Sequence, residues 1–178
     1  MGFDRRDERS GSGMTVDAFW DWAVACYRRA GVQQHLLHLQ DTQDLVILEA
    51  LFACWLASHD RQWQLDDVRA MAVSTRTWID EVVLPLRATR ARWTADADLS
   101  DSRQHLLALE VAAERHLAEL MWSGVMEDRN PSKGLVSPVE KATPSALMSS
   151  NLSVLPTFFD GKCALERLHL VALLEKGT

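Results

Sequence analysis

The sequence predicts an all-α fold, a single-domain bundle of six or seven helices around a central apolar helix. Residues 45–57 form an apolar run broken only by Glu49. It is too long for a buried strand and apolar on nearly every side, as a helix enclosed by others must be. On both sides of that run apolar residues recur at intervals of three and four, and no strand-like run is convincing. A chain of 178 residues, 47% of them hydrophobic, is long enough to bury one good core and too short for two full domains.

Residues 1–13 read as a disordered leader, because Asp4-Arg5-Arg6-Asp7-Glu8-Arg9 and Ser10-Gly11-Ser12-Gly13 lack the apolar centre of a secretion signal. Residues 14–124 read as the helical domain. Thr15 is a suitable N-cap for a first helix whose stripe is Val16, Phe19, Trp20, Ala23, Tyr27 and Ala30, with Gly31 as its stop. A short second helix over residues 32–40 uses Val32, Leu36 and Leu39, and Asp44 is placed to cap the central helix of residues 45–58. A fourth helix over 65–73 starts at Asp66 or Asp67.

A fifth helix follows over 78–93, because Trp78, Val82, Leu86, Thr89 and Trp93 share one narrow sector that should face the core. Pro85 removes a hydrogen bond and clashes with the carbonyl of Glu81, so a kink or short break is expected there. A long sixth helix capped by Ser100 or Asp101 has the stripe Leu106, Leu109, Ala113, Leu117 and Leu120, and Gly124 ends it. Residues 125–160, with Pro131, Pro138, Pro144 and Pro156, show no sustained period and read as a long loop or linker. A final C-terminal helix is expected over 161–176.

Composition narrows the function classes. A formal charge of -6 and a pI near 5.5 disfavour nonspecific nucleic-acid binding, which needs a basic footprint. The longest apolar run falls short of the roughly 20 residues of a membrane span, so no membrane association is expected. Cys26, Cys54 and Cys163 are odd in number and far apart, which suggests neither a disulfide framework nor a metal knuckle and fits the cytoplasm.

No catalytic constellation is present: there is no nucleophile elbow, no phosphate-binding loop and no dinucleotide fingerprint. His35, His38 and Asp41 rotate too far from one another to hold one metal ion, and Glu166 with His169 is a single copy of a motif that a diiron bundle needs twice. No metal or other cofactor is therefore expected. Cys54, inside the apolar run, reads as inert packing.

The candidate site residues are aromatic and charged. Trp22 lies about 200 degrees from Trp20 on the first helix, beside Arg29. It either covers the flank of a neighbouring helix or stands out as a partner anchor, since Trp and Arg are enriched in interface hot spots. Arg76, Arg87 and Arg90 share a sector next to the Trp78 stripe, which reads as a solvated face with Arg76 paired to Asp80, as an anion site, or as an internal ion pair with the sixth helix. Glu110 projects almost on the apolar stripe of that helix and Glu114 sits one turn later. A carboxylate there needs a partner, and a cluster of Glu110, Glu114, Arg87 and Arg90 would supply it.

The order Phe19-Trp20-Asp21-Trp22-Ala23, then Leu39-Gln40-Asp41, then Trp78 with Glu81-Val82-Val83-Leu84-Pro85-Leu86-Arg87, then Leu109-Glu110-Val111-Ala112-Ala113-Glu114-Arg115 resembles a family of small proteobacterial proteins known as a domain of unknown function. The resemblance covers about residues 15–122, and its most specific part is the Pro-Leu-Arg block behind Glu-Val-Val. It implies a bacterial cytosolic helical protein and no particular activity, cofactor or catalytic residue. The chain departs from the pattern at residues 43–48, where a glycine and an asparagine are usual, which puts any site built on that asparagine in doubt. Residues 130–156 look peculiar to this member.

The expectation for function is a noncatalytic interaction or regulatory protein, with Trp22, Arg29, Trp78, Arg87 and Arg90 as contact points for an unidentified partner. The alternative is a small-molecule binding protein or enzyme with a pocket between helices, lined by Trp20, Trp78, Arg87, Glu110 and Glu114 and suited to an anion. A sizeable cavity receiving Arg87 and Glu110 favours the ligand, whereas a filled core with Trp22 in an exposed apolar patch favours the protein partner.

Overall fold

The computed structural model describes residues 14–95, 97–127 and 142–176; the expected leader, 1–13, lies outside them. Eight α-helices occur among the described residues, and no strand: α1 Val16–Tyr27, α2 Val32–Gln43, α3 Ile47–Ser58, α4 Leu65–Trp78, α5 Leu84–Arg92, α6 Ser100–Trp122, α7 Pro144–Ser153 and α8 Ala164–Glu175. The all-α bundle is as the periodicity predicted, with one helix more than the upper count.

Helix α3 is the hub. Ten of its twelve residues are buried, so nearly every face meets protein. Phe19 of α1 packs edge-on against Phe52 and tilts against Trp55, with ring centres 4.9 and 5.6 Å away, and Trp63 meets Phe52 from the loop before α4. Trp122 at the end of α6 reaches Trp55. The fourth wall was not expected. α7, inside the 125–160 segment read as loop or linker, packs along α3 and buries Leu147, Met148 and Leu152 there.

The reason α7 escapes a periodicity search lies in its chemistry. Thr143 caps it by accepting the Ala146 N–H, Pro144 takes the first turn, and five of its ten residues are serine or asparagine. Its centre is Asn151, fully buried. The Asn151 Oδ1 accepts the Trp63 N–H at 2.7 Å, and Nδ2 donates to the carbonyls of Ala53 and Arg61 at 3.0 and 2.8 Å. One polar side chain thus binds three backbone groups, one in α3 and two in the turn after it, satisfying groups that burial would otherwise leave bare.

Several local readings change. Thr15 does cap α1, accepting the Ala18 N–H, but Asp44 ends α2 in the left-handed region instead of capping α3. Gly31 adopts φ +82° at the start of α2, and a Cβ there would stand 3.2 Å from Leu173 of α8. Gly124 does not stop α6: the helix runs on as a π segment Ser123–Glu127, and Gly124 lets α6 approach Ser74, whose Oγ would lie 2.6 Å from an added Cβ. Gln64 precedes α4, with Asp67 accepting its N–H at 2.9 Å.

The predicted fourth and fifth helices are one continuous rod. α4 passes into a π turn, Ile79–Val83, and then into α5, with the Leu84 N–H bonded to the Ile79 carbonyl. A π turn just before Pro85 relaxes the contact that the proline ring would force on a regular helix. Among the described residues, no helix is long and apolar enough to cross a membrane.

Candidate functional site

The π turn between α4 and α5 shifts which residues α5 turns inward. Thr75, Ile79 and Val83 are buried at four-residue intervals, and the same line continues into Arg87 and Arg90. The Trp78, Val82, Leu86, Thr89, Trp93 stripe, expected to face the core, is only half-buried. It was the more apolar sector, but the neighbouring one wins because its arginines find carboxylates instead of water.

Those carboxylates come from α6, whose buried line is Leu106, Glu110, Ala113, Leu117 and Met121. Glu110 therefore occupies a core position and Leu109, expected on the stripe, is 59% exposed. Both oxygens of Glu110 are taken: Arg90 donates to them through Nε and Nη2, the second at 3.1 Å, and the Arg87 Nε lies 3.5 Å away. The Arg87 Nη2 also donates to Glu114. The Glu110 side chain is 6% exposed and that of Arg87 13%, whereas Arg90 keeps about a third of its surface in water at 35%. The hydrogen bond to Glu110 raises the Arg90 pKa above its usual value, burial opposing.

Beside this cluster lies a cleft of about 630 Å³, within the size range of ligand sites. α1 lends Trp20, Ala23, Val24, Tyr27 and Arg28, one face at helical spacing; α2 lends Gln33, Leu37 and Gln40; α3 lends Ile47, Leu48 and Leu51. α5 supplies Arg87 and Arg90, and α6 supplies Leu107, Glu110, Val111 and Glu114. Ala23, small between Trp20 and Tyr27, opens the recess. The Arg115 guanidinium lies 5.5 Å from the centre of the Trp20 ring and pairs with Asp17, holding that indole at the edge of the cleft.

The other sequence candidates go elsewhere. Trp22 is half-buried against the core and does not form an exposed patch. Arg29 donates to the Leu174 carbonyl at 2.8 Å, where a cation suits the C-terminal end of α8. Trp78 lies outside the cleft: its Nε1 donates to the Ala113 carbonyl, and it lines a second groove of about 330 Å³ with Val82, Leu86 and Leu109. Arg76 pairs with Asp80 at the surface, at 2.9 Å.

His35 donates through Nε2 to the Glu166 carbonyl and its ring touches His169, so two histidine motifs read separately meet across α2 and α8. Among the described residues no group of three His, Cys, Asp or Glu side chains could hold a metal ion. Cys26 and Cys54 are buried with pKa values pushed up by that burial, which holds them as thiols.

Sequence reasoning missed Tyr27, Arg28, Gln33 and Gln40 as lining residues. A signal existed in the second helix, where Gln33, Leu37 and Gln40 fall on one face at intervals of four and three. Its meaning depended on knowing that α1 and α6 stand opposite.

The family described as "Protein of unknown function (DUF2390)" matches residues 18–121, more than half of the sequence. The chain belongs to that family. Every residue lining the cleft lies inside the DUF2390 block, while α7 and α8 fall beyond it. No curated protein and no solved structure matches the chain.

Proposed function

We propose that this DUF2390 protein binds a small molecule in the cleft between α1, α2, α3, α5 and α6, in a bacterial cytoplasm. The carrying observation is the 630 Å³ cleft itself, with the Arg87, Arg90, Glu110, Glu114 cluster in its wall. The cleft is open to solvent on one side, with Leu107 and Val111 47% and 45% exposed at its rim, and apolar walls left open to water in this way are typical of ligand clefts. Charged groups fixed against one another beside apolar walls are what an oriented ligand needs. Free thiols at all three cysteines suit a reducing compartment.

The test is a ligand-observed NMR screen of small acids, alcohols and amines against the wild type and Val24→Phe, whose ring would enter the recess from a half-buried position. Hits that compete with one another and vanish in Val24→Phe support the cleft. Hits indifferent to Val24→Phe, or a screen without hits, overturn it.

A protein-interaction role is the second reading, on a different observation. The outer groove of Trp78, Val82, Leu86 and Leu109 is almost wholly apolar, with Leu109 59% exposed, the composition of a contact patch. Leu109→Asp should then abolish partner capture without altering the fold or ligand hits in the cleft.

A further inference from the structure

We infer that the ligand of the cleft is an amphipathic monoanion, a carboxylic acid on an apolar body of about ten to twenty heavy atoms. This rests on the cleft reading above and adds the sign and number of the ligand's charge. Three arginines and two glutamates line the space. Glu110 has both oxygens occupied and Glu114 is bound by Arg87, so the carboxylates are already neutralised within the wall. The positive charge left over belongs to Arg28, which is exposed.

Donors remain where an anion would sit. Arg87 and Arg90 bind their glutamates through Nε and Nη2, so these contacts do not use Nη1 of either arginine, and both residues line the cleft. Tyr27 lies close enough to Arg90 to influence its charge, and it shares the lining with Arg28. One carboxylate has two oxygens and can accept from a guanidinium fork and from a further donor such as a phenol at once. A cation would find Glu110 fully engaged and only the second oxygen of Glu114, facing three guanidinium groups in the same lining, and a dianion would exceed the single uncompensated charge. The rest of the molecule meets Trp20, Val24, Leu37, Leu48 and Leu51, which offer no polar atom besides the indole N–H.

The experiment compares octanoate, octanol and octylamine, matched in chain length, by ligand-observed NMR titration at pH 7.5 against wild type, Arg28→Gln and Val24→Phe. Octanoate should bind about tenfold tighter than octanol, the ratio that one charged hydrogen bond supplies, with octylamine weakest. Arg28→Gln, at an exposed position, should narrow the octanoate advantage by roughly threefold or more and leave octanol unchanged. Octanol equal to octanoate, or octylamine tighter than both, with Val24→Phe still blocking, overturns the charge assignment while the cleft stands. If none of the three binds the wild type, or Val24→Phe changes nothing, the cleft reading falls and this inference with it.

Discussion

Replacing Glu110 by Gln keeps the size of the side chain and removes the charge that two arginines share. The Arg87 Nε and Arg90 Nη2 stand 3.5 and 3.1 Å from its oxygens. At an effective dielectric of about 20, each such pair carries about 5 kcal/mol of attraction. Most of this is offset by desolvation, and breaking a buried pair by deleting one partner typically costs 3–5 kcal/mol. Arg90, with 35% of its side chain exposed, can turn to water, and Arg87 retains Glu114, so the lower end applies, about 3 kcal/mol. That is a large share of the 5–15 kcal/mol that holds a domain folded, and corresponds to a fall in Tm of about 10 °C.

Urea unfolding of wild type, Glu110→Gln, Arg90→Gln and the double variant forms a cycle, and a coupling of about 2 kcal/mol is expected. Because the Glu110 side chain is only 6% exposed, the loss should persist in 1 M NaCl, where exposed charges are screened beyond about 3 Å. A loss under about 1 kcal/mol, or one that disappears in high salt, would make the cluster an ordinary surface bridge and refute the reasoning.

Three further outcomes are expected. Asn151→Ala strips the buried Trp63 N–H of its acceptor and leaves a void, so it should destabilise by about 3 kcal/mol in the same urea assay; a change below 1 kcal/mol would show that α7 docks without it. Glu49, half-buried in α3, has its pKa raised to about 7 by burial, with Arg76 opposing. The folded state then holds that proton more tightly than the unfolded chain, so stability falls as pH rises from about 4.5 through 7. Glu49→Gln should therefore gain up to about 3 kcal/mol over wild type at pH 8 and nothing at pH 4; parallel pH–stability curves would contradict this. Gly124→Ala brings a Cβ to 2.6 Å from the Ser74 Oγ and should lower stability by about 1–3 kcal/mol, largely recovered by adding Ser74→Gly, as thermal unfolding would show.

The sequence carried the helical class, the central position of residues 45–57 and the match between Glu110, Glu114 and Arg87, Arg90, because each follows from a local rule: period, uninterrupted apolarity, or a carboxylate on an apolar line. What it did not carry depends on a neighbour. The Trp78 sector looked more apolar than the Ile79, Val83, Arg87 sector, and only the presence of α6 reverses their order. Arg29 is spent on the end of α8 and Trp22 is half-buried against the core, while Trp78, tied to α6 through its indole N–H, lines the outer groove and not the cleft. α7 was read as loop because serine and asparagine fill positions that a solitary helix would give to leucine. Its central asparagine makes sense only against the carbonyls of α3 and the following turn.

The long reach of Asn151 bears on how the molecule comes into being. The stretch it closes ends 88 residues earlier, at Trp63, so α3 is synthesised long before its last wall exists. On a ribosome, the Ala53 side of the most apolar helix waits uncovered until α7 emerges. Closure of so long a loop is a slow step, and in the interval the nascent chain exposes the surface that chaperones and aggregates recognise.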